Sequence, residues 1–143
     1  MKTKPPQLDQ FLSDLAQLSD RNERIEYLIS LAHDFVPYAD APDPLPEDNR
    51  VRGCESEVFT FSSAPEGKIH LEFVVLNKQG LSAMALGKIL QDSFNGMPVD
   101  SIQCIDQDIV KEIFGRELSM GKAVGLANTV SMVKSQLLSS CSK

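Results

Sequence analysis

The sequence has few of the side chains that build metal centres and nucleic-acid surfaces. It contains only two histidines and three cysteines, with no Cys-x-x-Cys pair, which argues against a zinc site. Its 14 lysines and arginines stand against 20 acidic residues, so the net charge is −6. Because phosphate binding needs clustered cations, we expect no nucleic-acid partner. No apolar run approaches the roughly 20 residues that span a bilayer, so we expect no membrane partner either.

The three cysteines, Cys54, Cys104 and Cys141, are odd in number and far apart. Such a set is a poor disulfide framework and indicates a reducing compartment. The lysines near the N-terminus are not followed by the apolar core of a signal sequence. We therefore expect a cytoplasmic protein whose thiols are free.

A length of 143 residues fits one domain, 1–143, and we expect 1–6 and 139–143 to be mobile. Apolar residues at helical spacing predict two N-terminal helices, a third helix ending near Asn95, a small helix at 108–114 and a last helix over about 121–138. Six apolar residues form the expected core-facing stripe of the second helix: Ile25, Leu28, Ile29, Ala32, Phe35 and Val36. Asp20 is placed to cap that helix.

A β-hairpin is predicted at 58–76, with a turn at 64–67. The second strand is apolar at its end on both faces, which indicates helices over both sides of the sheet. The four prolines between 37 and 46 exclude a helix or a central strand there. We interpret this segment as a stiff, solvated linker rather than a docking strip. The fold class is α+β, a small antiparallel sheet with helices packed against it.

Periodicity does not explain the segment around Cys54. A free cysteine is usually buried, but this one follows Gly53 at a junction between loop and strand and lies among charged residues. Two arginines, Arg50 and Arg52, would lower the pKa of its thiol, while the glutamates at 55 and 57 would raise it. These residues alone leave open whether Cys54 is reactive or inert.

The segment RGCESEVF, residues 52–59, resembles the Gly-Cys-x-Ser-x-Val-aromatic signature of the SufE/CsdE family of sulfur-acceptor proteins. The resemblance extends over most of the chain, including LSMGKAVGL at 118–126, which is similar to the family segment Leu-Thr-x-x-Arg-x-x-Gly. The chain departs from the family pattern at Glu57, Phe59 and Lys122, and at Asn77-Lys78-Gln79-Gly80, where the family tends to carry an acidic residue. These departures bear on the geometry of partner binding.

The resemblance implies a persulfide relay. Cys54 would take sulfur from a cysteine desulfurase, stimulate that enzyme, and pass the sulfur to an iron–sulfur scaffold complex. Pyridoxal phosphate belongs to the desulfurase, so this chain would need no cofactor or metal and would not be a stand-alone enzyme. Arg52, Gly53, Ser56 and Lys122 are implied as supporting residues.

Two other functions remain open. The chain could be a non-catalytic regulatory module of a desulfurase, since the motif would also serve docking alone. It could also be an iron–sulfur scaffold, but clusters need about four fixed ligands. Cys104 lies in an apolar-alternating segment and is interpreted as a packed thiol, and Cys141 lies in the C-terminal tail.

Overall fold

The computed structural model of the protein describes residues 4–53, 56–77, 80–115, 118 and 120–141. Five α-helices and two strands follow in this order: α1 Pro6–Gln17, α2 Arg21–Asp34, β1 Val58–Ser63, β2 His70–Val75, α3 Leu81–Phe94, α4 Ile109–Phe114 and α5 Met120–Cys141. Short 3-10 segments occupy Glu47–Asn49, Pro65–Gly67 and Val99–Cys104. The predicted α+β class, with two N-terminal helices, an antiparallel hairpin and a long last helix, is confirmed.

Helices α1 and α5 bury the apolar residues that their helical spacing places on one side. In α1, Leu8, Phe11 and Leu15 are buried, as their spacing predicts. In α5, Leu126, Val130, Val133 and Leu137 are buried in the same way, and the helix continues to Cys141, beyond the expected end near 138. Helix α3 lies in the centre and packs against α1, α2, α5 and β2.

Helix α2 differs from its prediction. Asp20 caps it as expected, its Oδ1 accepting a hydrogen bond of 2.9 Å from the Asn22 N–H. Of the predicted stripe, however, only Ala32 is buried, and Leu31 outside that stripe is buried beside it. The other five stripe residues, Ile25, Leu28, Ile29, Phe35 and Val36, remain half-buried or exposed. Leu28 and Phe35 pack against the core from half-buried positions, so the predicted stripe is confirmed only in part.

Helices α3 and α5 pack on the same face of the hairpin. Thr60 and Phe73 are paired across the strands, so their side chains share a face. On this face Gly87 of α3 packs so closely that an added Cβ would lie 3.2 Å from the Phe73 ring. The Gln136 side chain of α5 accepts a hydrogen bond of 3.0 Å from the Thr60 hydroxyl.

The opposite face is contacted by the proline-rich segment. The Tyr38 ring lies 5.1 Å from the Phe61 ring, and the Arg50 guanidinium lies 5.1 Å above Phe59. The expectation of helices on both sides was therefore wrong. The segment 37–46 is mostly exposed, as expected of a solvated linker, but Tyr38 within it and Arg50 after it pack on the sheet. The segment keeps many exposed residues, but its aromatic and cationic side chains help to bury Phe59, which is 2% exposed. Its prolines restrict the chain without preventing this packing.

The outer edge of β1 is bonded to side-chain amides. Gln136 donates from Nε2 to the Thr60 carbonyl at 2.9 Å and accepts at Oε1 from the Ser62 N–H at 2.9 Å. The Asn49 amide donates to the same Thr60 carbonyl at 2.8 Å. A strand edge is thus satisfied without a third strand.

The outer edge of β2 is bonded in a similar way. The Leu71 N–H donates to Asn95 Oδ1 at 2.8 Å, and the Leu71 carbonyl accepts from Gln91 Nε2 at 3.0 Å. The Tyr38 N–H donates to the Phe73 carbonyl at 2.9 Å. The sheet therefore ends at two strands, held between helices on one face and the proline-rich segment on the other.

Candidate functional site

The candidate nucleophile Cys54, with Glu55, lies outside the described residues, so the site is built from the chain on either side. The residues before it, Arg52 and Gly53, form an exposed turn. The residues after it, Ser56 and Glu57, lead into β1. The predicted loop tip at 52–56 stays a prediction for Cys54 itself. Both of its flanks are fixed by contacts from distant parts of the chain.

Helix α5 holds the first flank. Asn128 Nδ2 donates a hydrogen bond of 2.8 Å to the Arg52 carbonyl. Gly53 has φ +74°, in the left-handed region that favours glycine. A Cβ at Gly53 would also lie 3.0 Å from Asn128 Nδ2 and 3.5 Å from Val124 Cγ1. Glycine is thus needed here both for its backbone conformation and for the close approach of α5.

The loop between β2 and α3 holds the second flank. Asn77 Oδ1 accepts a hydrogen bond of 2.7 Å from the Glu57 N–H. A Cβ at Gly80 would lie 3.0 Å from Ser56 Oγ and 2.7 Å from Val75 Cγ1. The small size of Gly80, rather than its backbone conformation, lets the half-buried Ser56 lie against this loop.

The charges near the loop are partly neutralised. Arg50 forms ion pairs with Glu47 at 3.2 Å and with Glu57 at 3.3 Å. One of the two cations expected to lower the thiol pKa therefore pairs with one of the glutamates expected to raise it. Arg52 is exposed, and its backbone carbonyl accepts the hydrogen bond from Asn128 of α5. Arg50 also forms an antiparallel bridge with Phe59, which holds the chain before Cys54 against β1.

Exposed apolar side chains lie next to both flanks. Leu76 is 51% exposed and donates its N–H to the Glu57 carbonyl at 2.9 Å. Met120 is 84% and Val124 47% exposed, and they lie four residues apart on α5, on the side that contacts Gly53. We call Leu76, Met120 and Val124 the apolar rim. A concentration of exposed apolar surface beside a presented loop is typical of a protein-binding site.

Lys122 is placed on another side of the same helix. It is exposed and lines a groove with residues of α2, whereas Val124 and Asn128 are turned towards Gly53. At 100° per residue, Lys122 lies about 160° around α5 from Val124. The structure thus brings Arg52, Gly53 and Ser56 together and puts Lys122 apart from them.

The two histidines and Cys104 lie in other parts of the fold. His33 is exposed in the last turn of α2, and His70 is exposed and 3.4 Å from Glu72. Cys104 is half-buried against the core, and burial raises the pKa of its thiol despite the opposing charge of Lys4. In the part of the chain that the structure describes, no three histidine, cysteine or acidic residues are grouped to hold a metal ion. No helix among these residues is long and apolar enough to cross a membrane.

Sequence reasoning missed the two anchoring amides. Asn77 lies 20 residues from its partner and Asn128 lies 76 residues from its own, so neither has a local signal. The LSMGKAVGL segment indicated that the start of α5 belongs to the site. It singled out Lys122, however, whereas Val124 and Asn128 are the residues that contact Gly53.

Fold and site together define a small α+β protein in which a long helix and the loop after a two-stranded sheet fix the two flanks of a cysteine. Residues 9–137 match the family model SufE, described as an Fe-S metabolism associated domain. The chain therefore belongs to the SufE family, and the resemblance carried by residues 52–59 and 118–126 is confirmed.

A solved structure shows the same fold. It is the solution structure of a hypothetical protein from Thermus thermophilus, with a TM-score of 0.79 and 20% sequence identity, covering 99% of this chain and 100% of that chain. No curated protein matches this chain significantly in sequence.

Proposed function

We propose that this protein is a sulfur acceptor for a cysteine desulfurase, with Cys54 as the carrier, working as one cytoplasmic domain in iron–sulfur cluster assembly. The observation that carries the proposal is the SufE family match, which spans 9–137 and so includes the Cys54 motif. The anchored flanks of Cys54 add a physical reason, since a carrier thiol must be presented at a fixed place on the surface.

The transfer step is an exchange at sulfur. The Cys54 thiolate attacks the terminal sulfur of the desulfurase cysteine persulfide, forming a new S–S bond while the S–S bond of the donor breaks. The donor cysteine leaves as a thiolate, and Cys54 becomes the persulfide. No oxidant is consumed, and the pyridoxal phosphate that releases sulfur from free cysteine belongs to the desulfurase. Cys54 then passes its terminal sulfur to an iron–sulfur scaffold complex in the same way.

The surroundings of the flanks fit exchange with another protein. The apolar rim offers surface that a partner would cover. Excluding water there would strengthen the attraction between the partner's positive charges and the thiolate. Among the described residues, neither histidine lies at the flanks to serve as a base. Activation of the thiol is therefore assigned to the complex with the desulfurase.

The test is intact-mass analysis after incubation with the desulfurase and cysteine. The wild-type chain should gain one sulfur atom, mapped to Cys54, and should stimulate the desulfurase. Cys54→Ser should lose both effects, because a hydroxyl is far too weakly acidic to replace a thiolate. Cys104→Ser is the matched control and should keep both, with some loss of stability from the half-buried hydroxyl.

The apolar rim also favours the second candidate, a regulatory module that only docks on the desulfurase. In that case Cys54→Ser would still stimulate the enzyme. Retained stimulation, or equal loss in the folded Cys54→Ser and Cys104→Ser variants, would contradict the carrier function.

A further inference from the structure

A groove of about 260 Å³ lies between α2 and the first turns of α3 and α5. Ile25, Leu28 and Ile29 of α2 line it, together with Phe114 at the end of α4. Three cations, Arg21, Arg24 and Lys122, also line it. We call this feature the α2 groove.

The apolar lining of the α2 groove is only partly covered by the described part of the chain. Ile25, Leu28 and Ile29 recur at helical spacing, a pattern typical of a core-facing stripe. All three stay only half-buried, and Ile25 and Ile29 are not among the side chains packed against the main core. Three half-exposed apolar side chains in one groove indicate a surface that a partner covers.

The charge of the α2 groove is opposite to that of the chain. The whole protein carries a net charge of −6, yet the groove contains Arg21, Arg24 and Lys122. No carboxylate lines it among the described residues. Arg21 and Lys122 each make further interactions, whereas the Arg24 guanidinium has no hydrogen bond or ion pair in the described part of the chain. An apolar lining with cations selects an apolar segment that carries carboxylates.

The α2 groove lies beside the proposed sulfur-transfer site. Leu81, which lines the groove, directly follows Gly80, which packs against Ser56. Lys122 and Val124 lie on opposite sides of the same turns of α5, whose width is about 10 Å. A protein seated on the apolar rim can therefore reach the groove across one helix.

From this geometry we propose that the α2 groove binds an apolar, carboxylate-bearing segment of the same cysteine desulfurase that donates sulfur to Cys54. The inference rests on the proposed function and adds a second docking site to it. The groove determines how tightly the partner binds, while the anchored loop determines where the thiol is presented.

The experiment measures binding and transfer separately. The dissociation constant for the cysteine desulfurase of the same organism is determined by calorimetry without added cysteine, and transfer is then measured by intact mass at saturating desulfurase. Arg24→Glu should raise the dissociation constant about tenfold, and Ile25→Ser should raise it severalfold. At saturation both variants should transfer as much sulfur as the wild type, because Cys54 is untouched.

Lys68→Glu is the matched control. It makes the same kind of charge reversal on an exposed residue, beside the hairpin turn and at the end of the sheet away from Val58. It should change the dissociation constant less than about twofold, as expected for a single exposed charge remote from the interface. Circular dichroism and thermal unfolding verify that each variant is folded.

The outcomes separate the two proposals. Equal dissociation constants for Arg24→Glu and Lys68→Glu, with Ile25→Ser also unchanged, would overturn the groove assignment and leave the carrier function standing. Weakened binding by Arg24→Glu with no sulfur on Cys54 in any variant would support the groove and refute the carrier function. A wild-type dimer that Arg24→Glu dissociates, with unchanged desulfurase binding, would assign the groove to a second copy and overturn the inference. Failure of the wild type to bind the desulfurase would refute both.

Discussion

The hydrogen bond from Asn128 to the Arg52 carbonyl provides the sharpest test of how the loop is positioned. Asn128→Ala removes one exposed bond of 2.8 Å, and water can replace the lost donor at the carbonyl. The cost in stability should therefore be about 0.5–1 kcal/mol. For a chain of this length that corresponds to a fall in melting temperature of only about 1–4 °C.

The effect on sulfur transfer should be larger than the effect on stability. Without Asn128 the first flank of Cys54 loses its hydrogen bond to α5, while the Asn77 bond to Glu57 still holds the second flank. Since a displacement of about 1 Å can cost about 100-fold in rate, loosening one flank should slow transfer about tenfold. The assay is the single-turnover rate of sulfur transfer at saturating desulfurase, followed by intact mass.

Two controls separate the hydrogen bond from other effects. Gln10→Ala removes an equally exposed bond of 2.8 Å to Asp14 within α1, and it should lower stability similarly without slowing transfer. Asn128→Asp keeps the size of the side chain but removes the donor, so it should be as slow as Asn128→Ala. A normal rate for folded Asn128→Ala would refute the positioning role. A normal rate for the aspartate alone would show that contact with Gly53, not the bond, is what matters.

Two further predictions concern stability and thiol reactivity. Gln136→Ala should destabilise the fold by roughly 2–4 kcal/mol in urea titration, because it leaves the buried Thr60 hydroxyl and the Ser62 N–H without their acceptor. Gln136→Glu keeps the Oε1 acceptor that both donors share and loses only the Nε2 donor to the Thr60 carbonyl, so it should lose less stability. A change below about 0.5 kcal/mol for alanine would contradict this role. Because burial raises the pKa of the Cys104 thiol, its thiolate fraction at a given pH is smaller than that of an unfolded cysteine. Peptide mapping of alkylation between about pH 7 and 10 should show the Cys104 rate rising at higher pH in the folded chain than in urea, and identical profiles would refute the assignment.

Local patterns predicted most of the elements. The stripes of α1 and α5 were found because 3.6-residue periodicity reflects burial directly, and the hairpin was found because its turn and alternation are both local signals. Asp20 was recognised as a cap for the same reason. The segment around Cys54 was recognised because a free cysteine is rarely flanked by glycine and several charged residues.

The missed features depend on residues far apart in sequence. The α2 stripe has the right period, but no sequence pattern shows that its neighbours would cover only part of it. The proline-rich segment shows no periodicity, and its packing depends on Tyr38 and Arg50 meeting aromatic rings on β1. Asn77 and Asn128 act through single hydrogen bonds across the fold, which leave no trace in their local sequence.

The capped edges of the hairpin determine how this protein can be recognised. A two-stranded sheet alone is marginally stable and offers two edges on which another chain could add as a strand. Here amides of Gln136 and Asn49 occupy sites on the β1 edge, and Asn95 and Gln91 occupy sites on the β2 edge. Strand addition at these sites would first have to break those bonds. At these sites we therefore expect partners to bind through side chains and loop shape rather than by adding a strand, and the same caps protect these edge positions from aggregation.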